Sequence, residues 1–223
     1  DHHFTNWHRV GFESRILIGC DGGLYLSRDA GVTWRDKNQN LGLKQFYSGA
    51  LHPTLTNYIL GGTQDNGTHV IKTPGKTYSF EVTGGDGGFV HINQLNPSLQ
   101  FGAYVYNQYR RSTNGGNSWS SFNLSSSSGL FINPYDYDDV KNIMYASNGS
   151  TLRRWENPAT ATSAATSVQT TLTIPSSSGS LTTFKVSPHT PDRLYVGTSS
   201  GRLFRIDHAD TVTTAWIGSE TTQ

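Results

Sequence analysis

The chain has 223 residues, of which 15% are charged, and its formal net charge is +1. Because basic and acidic residues balance, a basic face for phosphates is not expected, and no nucleic-acid partner is expected. No run of eighteen apolar residues occurs, so no membrane insertion is expected. The single cysteine, Cys20, excludes an intrachain disulfide framework and a multi-cysteine metal site.

One unit recurs along the chain and consists of a segment that ends in proline, a short apolar strand, a polar turn and a further strand. The prolines are Pro53, Pro97, Pro134 and Pro188. The polar turns centre on Asp21, Asp65, Asn107, Asn148 and Ser200. Both landmarks give a period near 44 residues. Apolar residues alternate with polar ones inside a unit, which is typical of strands with one buried face.

A repeat of this length with four short strands has the size of a propeller blade. The sequence therefore predicts an all-β fold, a β-propeller of four-stranded blades with about five blades in this chain. We expect these blades to belong to a larger ring, and a closed five-bladed ring is the alternative. The predicted blades cover residues 1–40, 41–84, 85–125, 126–175 and 176–223.

Two segments share a tighter pattern of Ser, Asp or Asn, Gly, Ser or Thr, and Trp at equal spacing. In this pattern the acidic or amide side chain accepts turn N–H groups, the glycine takes a conformation that other residues avoid, and the tryptophan packs back. We interpret these residues as structural. The first segment contains Ser27, Asp29, Gly31, Thr33 and Trp34, and the second contains Ser112, Asn114, Gly116, Ser118 and Trp119.

This pattern resembles the Asp-box, or bacterial neuraminidase repeat, of sialidases, sortilin-type receptors and family 74 glycoside hydrolases. The resemblance implies a β-propeller fold. A sialidase is disfavoured because the Arg-Ile-Pro motif of that family does not occur in this sequence.

Two acidic, glycine-rich turns are similar to the segments that carry the catalytic carboxylates of family 74 glycosidases. They are CDGGLYLSRDAGVTW, which contains Asp21, and GGDGGFVHINQLNP, which contains Asp86. The resemblance implies that Asp21 and Asp86 act as an acid and base pair on a glycosidic bond. The alternative is that each Asp-Gly pair is an ordinary hairpin turn.

Ligand-binding residues are expected where turns from neighbouring blades converge. Asp65 occupies the turn equivalent to that of Asp21, and aromatic residues at the turns of the middle blades are suited to stack on sugar rings or a peptide. The candidate ligand-binding residues are Asp65, Tyr106, Asn107, Tyr135 and Tyr137.

The leading hypothesis is a secreted or cell-surface binding module for a glycan or an extracellular protein. The competing hypotheses are a glycoside hydrolase acting on a polysaccharide and a structural spacer of a large exported surface protein. The rest of a larger chain is a further possible partner. No cofactor is expected, and no metal site is expected although Asp1, His2, His3 and His8 lie close together in the sequence.

Overall fold

The computed structural model describes residues 1–39, 44–75, 79–125, 128–161, 169–174, 179–213 and 219–220. Within these residues, twenty β-strands form five four-stranded antiparallel sheets, and each sheet consists of four consecutive strands in sequential order. We call the sheets blades 1 to 5. The strands are β1 (His2–Val10), β2 (Glu13–Cys20), β3 (Gly23–Ser27), β4 (Arg35–Asp36), β5 (Phe46–Leu51), β6 (Ile59–Thr63), β7 (Gly67–Ile71), β8 (Phe80–Thr83), β9 (Val90–Ile92), β10 (Gln100–Ala103), β11 (Asn107–Ser112), β12 (Ser120–Ser125), β13 (Tyr135–Asp138), β14 (Ile143–Asn148), β15 (Thr151–Glu156), β16 (Gln169–Thr173), β17 (Leu181–Val186), β18 (Leu194–Thr198), β19 (Leu203–Ile206) and β20 (Ser219–Glu220).

The strands reverse at the polar turns of the repeat. Between β6 and β7, Asp65 has a φ of 55° and Gly67 a φ of 75°. Aspartate tolerates this left-handed conformation and glycine adopts it freely, so the local sequence favours a tight reversal there. We call the side with the turns between the second and third strand of each blade the upper face, and the opposite side the lower face.

Three buried apolar clusters join neighbouring blades. Leu60 and Val70 pack on Val90 and Ile92 between blades 2 and 3. The other two clusters lie between blades 3 and 4, around Trp155, and between blades 4 and 5. Burial of apolar side chains at about 25 cal/mol per Å² makes these seams the main source of stability.

Blade 1 buries less apolar surface than the other blades. Every residue of β1 is exposed, including Phe4 and Trp7, the latter with 65% of its surface accessible. Blade 2 carries an apolar groove of about 330 Å³, which is lined by Phe46, Ile59 and Ile71 among others. Blade 1 is therefore held by fewer apolar contacts than blades 3 to 5.

The two tight motifs form equivalent loops on the lower face. In the first, Ser27 Oγ accepts from Gly31 N at 2.8 Å, Asp29 Oδ1 accepts from Thr33 N at 2.8 Å, and Trp34 Nε1 donates to Gly31 O at 3.1 Å. The second loop repeats this scheme. Its bonds are Gly116 N to Ser112 Oγ at 2.9 Å, Ser118 N to Asn114 Oδ1 at 3.0 Å and Trp119 Nε1 to Gly116 O at 3.2 Å.

In the described part of the chain, no helix is long and apolar enough to cross a membrane.

Candidate functional site

The upper-face turns of blades 1 and 2 are joined through Asp21. Its Oδ1 contacts His3 Nε2, and its Oδ2 accepts a hydrogen bond from Gln64 Nε2 at 3.2 Å. Gln64 precedes Asp65, which is exposed at the tip of the next turn. The two predicted turns are thus adjacent in space as well as equivalent in the repeat.

Asp86 approaches the same turn from the segment that leads into blade 3. It forms a β-bridge with Gly67, and its Oδ1 accepts a hydrogen bond from Asp65 N at 3.1 Å. Asp86 therefore holds the turn of Asp65 in its left-handed conformation.

Tyr47 lies near the start of β5, the inner strand of blade 2, where Phe46 pairs with Thr63 beside the turn of Asp65. The pKa of Tyr47 is raised above the ordinary value, first by burial and then by the negative charges of Asp86, Asp65 and Asp21. Hydrogen bonds from Gln64 to Asp21 and from Asp65 to Asp86 place the three carboxylates on one part of the upper face, and their combined field favours cationic groups.

Tyr106 and Phe131 add an aromatic pair to the upper face of blade 3. Their ring centroids are 5.9 Å apart with perpendicular planes, and Tyr106 N donates to Phe131 O at 2.9 Å. Tyr106 is half-buried and Phe131 is exposed. This pair remains accessible for stacking on a bound ligand.

Asn107 is fully buried and is not available to a ligand. Its Nδ2 donates to Ser147 O of blade 4 at 2.9 Å, and its Oδ1 accepts from Tyr109 and from Asn133. All of its polar side-chain atoms are used inside the protein. Asn107 therefore connects blades 3 and 4.

Tyr135 and Tyr137, expected at a binding surface, lie in the core. Tyr135 contacts Tyr109 at 5.3 Å between ring centroids, and Tyr137 contacts Phe101 at 4.8 Å. Burial raises the pKa of both tyrosines. The physical reason is that the inner strand β13 is covered on both faces, so all four of its residues are buried. Neither ring is exposed for stacking.

A cleft of about 400 Å³ on the lower face of blades 3 to 5 was not predicted from the sequence. It contains a hydrogen bond between His91 Nε2 and Asp139 Oδ1 at 2.8 Å and an ion pair between Lys141 Nζ and Asp192 Oδ1 at 3.2 Å. The members of each pair are about fifty residues apart and come from different blades, so no local motif indicates them.

The residues that the structure describes contain no group of three His, Cys, Asp or Glu side chains able to hold a metal ion. Of the histidines near the start of the sequence, His3 instead contacts Asp21.

The sheets and the convergent upper turns define a β-propeller with a loop face. No protein-family model matches the sequence, and no curated protein matches it. Two solved structures are similar. "YCF48 bound to D1 peptide" has 17% sequence identity and a TM-score of 0.52, over 87% of this chain and 62% of that one. "YCF48 from Cyanidioschyzon merolae" has 14% identity and a TM-score of 0.56, over 93% of this chain and 67% of that one.

These likenesses confirm the predicted β-propeller of four-stranded blades. The chain spans about 62% of the length of the peptide-bound structure.

The predicted secreted or cell-surface location is wrong, because the structural neighbours are YCF48 proteins, which are not secreted. The prediction depended on a composition rich in Ser, Thr, Gly and aromatic residues. A propeller with short strands and many turns requires these residues in any compartment.

Proposed function

We propose that this chain is a protein-binding β-propeller that holds an extended peptide segment with basic side chains on its upper face. The observation that carries the proposal is the grouping of Asp21, Asp65 and Asp86 at adjoining upper-face turns, where Gln64 Nε2 donates to Asp21 Oδ2 at 3.2 Å and Asp65 N donates to Asp86 Oδ1 at 3.1 Å. Carboxylates on one face attract Lys and Arg side chains and guide their approach. The similar fold of a YCF48 structure with a bound D1 peptide supports a peptide as the ligand class.

Two of the sequence-based candidates keep a role in this proposal. Asp65 is exposed and free to receive a basic side chain, and Tyr106 offers its ring beside Phe131. Asn107, Tyr135 and Tyr137 are buried and are not included.

Binding of fluorescein-labelled peptides, measured by polarisation, tests the proposal. Two peptides of equal length and with the same apolar residues are compared. The basic peptide carries Arg and Lys at the positions where the acidic peptide carries Glu. The basic peptide is expected to bind more tightly, and added salt is expected to weaken it. The double variant Asp65→Asn with Asp86→Asn is expected to lose affinity by roughly tenfold. The amide introduced at position 86 can still accept the hydrogen bond of the turn.

Glu81→Gln is the matched control, since it removes a carboxylate from β8, the outer strand of blade 2. It is expected to bind as the wild type does. Equal affinity for acidic and basic peptides would contradict the proposal. A purely structural spacer predicts that no peptide binds and that every variant resembles the wild type.

A glycoside hydrolase is the second candidate, because Asp21 and Asp86 accept hydrogen bonds from the adjacent residues Gln64 and Asp65, and a carboxylate pair on one face suits this chemistry. Release of reducing sugar from polysaccharides, and its loss in folded Asp21→Asn and Asp86→Asn variants, would favour this function. We interpret the two matched lower-face loops as Asp-boxes.

A further inference from the structure

Four apolar side chains project from the lower edge of blade 1, which we call the hairpin edge. They lie in and beside the β1–β2 turn and the β3–β4 loop. Phe12 is fully exposed, Val32 is 81% exposed, and Val10 and Trp34 are each about 40% exposed. Large apolar groups at the tips of turns cost free energy in water unless another phase or molecule covers them.

The two tips are neighbours. Strands β2 and β3 are paired as far as Ile16 opposite Ser27, so the β1–β2 turn and the β3–β4 loop leave the sheet at the same end. Arg28 Nη1 also lies 3.9 Å from Glu13 Oε1, which links the two ends directly. The hairpin edge is therefore one continuous surface.

Arginines surround the hairpin edge. Residues 8–15 and 27–35 contain four arginines, Arg9, Arg15, Arg28 and Arg35, against the two carboxylates of Glu13 and Asp29. Glu13 is paired with Arg15 at 2.6 Å, and Asp29 accepts bonds from Thr33 inside its own loop. The edge consequently has an excess of positive charge next to its apolar tips.

The corresponding edge of blade 3 lacks this combination. Asn117 occupies the position of Val32 in the matched loop and donates to Asn114 O at 2.8 Å. Leu95 is exposed in the β9–β10 turn, but its neighbour Gln94 contacts the carboxylate of Asp139. Neither the loop nor the propeller fold therefore requires an apolar residue at position 32.

We propose that the hairpin edge binds the surface of an anionic lipid membrane. Phe12 and Val32 enter the boundary between headgroups and acyl chains, Trp34 lies at headgroup level, and the arginines contact lipid phosphates. A lipid surface fits better than a protein partner because the apolar residues stand at turn tips, where Phe12 and Val32 are largely exposed to solvent. A partner protein would have to supply the whole pocket itself.

Co-sedimentation of the full chain with vesicles tests this inference. Vesicles of phosphatidylcholine and phosphatidylglycerol in equal amounts are expected to bind the protein and shift Trp34 emission to the blue, whereas vesicles of phosphatidylcholine alone bind it weakly. The double variant Phe12→Ser with Val32→Asn is expected to lower the partition coefficient by at least about tenfold. Arg9→Gln with Arg28→Gln is expected to lower it by about fivefold per charge.

Leu95→Ser is the matched control, because it removes an exposed apolar residue from the same face without neighbouring arginines. It is expected to bind vesicles as the wild type does. Val32→Asn alone reproduces the residue of the matched loop, so it keeps the test valid if Phe12→Ser fails to fold. The inference is overturned if anionic vesicles do not bind, if the double variant binds equally well, or if light scattering shows that the edge instead joins two copies of the chain.

Discussion

Blade 1 and blade 3 contain nearly the same lower-face loop but sit in different surroundings. The loop of blade 3 is linked to its neighbour, since the Tyr58 hydroxyl from blade 2 lies 2.9 Å from Gln100 Oε1 and 3.2 Å from Gly115 O, the two acceptors for its proton. In the part of the chain that the structure describes, the loop of blade 1 makes its hydrogen bonds and the ion pair of Arg28 with Glu13 within its own blade. The comparison shows that the loop is a self-contained unit, whereas the packing between blades determines how much each blade contributes to stability.

The largest expected effect concerns two tryptophans in contrasting positions. Trp155 is fully buried between blades 3 and 4, with its ring 4.7 Å from that of Phe122, while Trp7 is 65% exposed on blade 1. Trp155→Ala is expected to lower the free energy of unfolding by about 3–5 kcal/mol because it leaves a large cavity. Trp7→Ala is expected to change it by less than about 0.5 kcal/mol. Urea denaturation of both variants measures the difference, and equal losses would contradict the contrast between the blades.

A smaller effect is expected at the two equivalent glycines. Both have a positive φ, 95° at Gly31 and 79° at Gly116, so alanine costs about 1–2 kcal/mol at either site. At Gly116 the added methyl group would also clash with the Tyr58 hydroxyl, whereas at Gly31 its nearest neighbour is 3.7 Å away. Gly116→Ala is therefore expected to lose about 1–3 kcal/mol more than Gly31→Ala. Thermal unfolding of the two variants measures this difference. Equal losses of stability would mean that the close approach of Tyr58 to Gly116 is unimportant.

The smallest expected effect is a loss of stability at low pH in the blade 1 loop, which the blade 3 loop does not share. Hydrogen bonds from the side chain and then the backbone of Thr33 lower the pKa of Asp29 from 3.8 to about 2. The ionised carboxylate therefore stabilises the folded loop above pH 3.8, and this contribution is lost as the pH falls through about 2. Asn114 in the matched loop does not titrate in this range.

Trp34 emission, taken as the difference from a Trp34→Phe variant, is expected to change over this acid range while Trp119 emission does not. Asp29→Asn is expected to abolish the change at Trp34. An unchanged transition in this variant would mean that another group controls it.

The sequence predicted strands well where one face of a sheet is buried. Leu194 and Val196 alternate with polar residues, and both are fully buried on one side of β18. The assignment of Tyr135 and Tyr137 to a turn was wrong, because both residues lie in the inner strand β13, which is covered on both faces. Polar turns were predicted from Asp, Asn and Gly. These residues favour a left-handed backbone through local interactions, so the local sequence is enough to predict the turn.

Contacts between blades were beyond prediction from one sequence. Asn107 stands in a polar turn of the repeat, yet the structure buries it, because its partners Asn133 and Ser147 lie 26 and 40 residues further along the chain. The grouping of Asp21 and Asp65 was indicated by their equivalent positions in the repeat. The hydrogen bond from Asp65 N to Asp86 Oδ1 crosses between blades, and nothing in the sequence indicated it.

The sequential strand order has a consequence for how the chain folds. Among the strands that the structure describes, each sheet is built from four consecutive segments and none borrows a strand from elsewhere. Each sheet can therefore form soon after its own stretch of chain leaves the ribosome, with short loops to close and little entropy to lose. Growth of the protein by adding one sheet after another requires no rearrangement of those already formed, and a newly synthesised chain exposes only one unpacked sheet at a time.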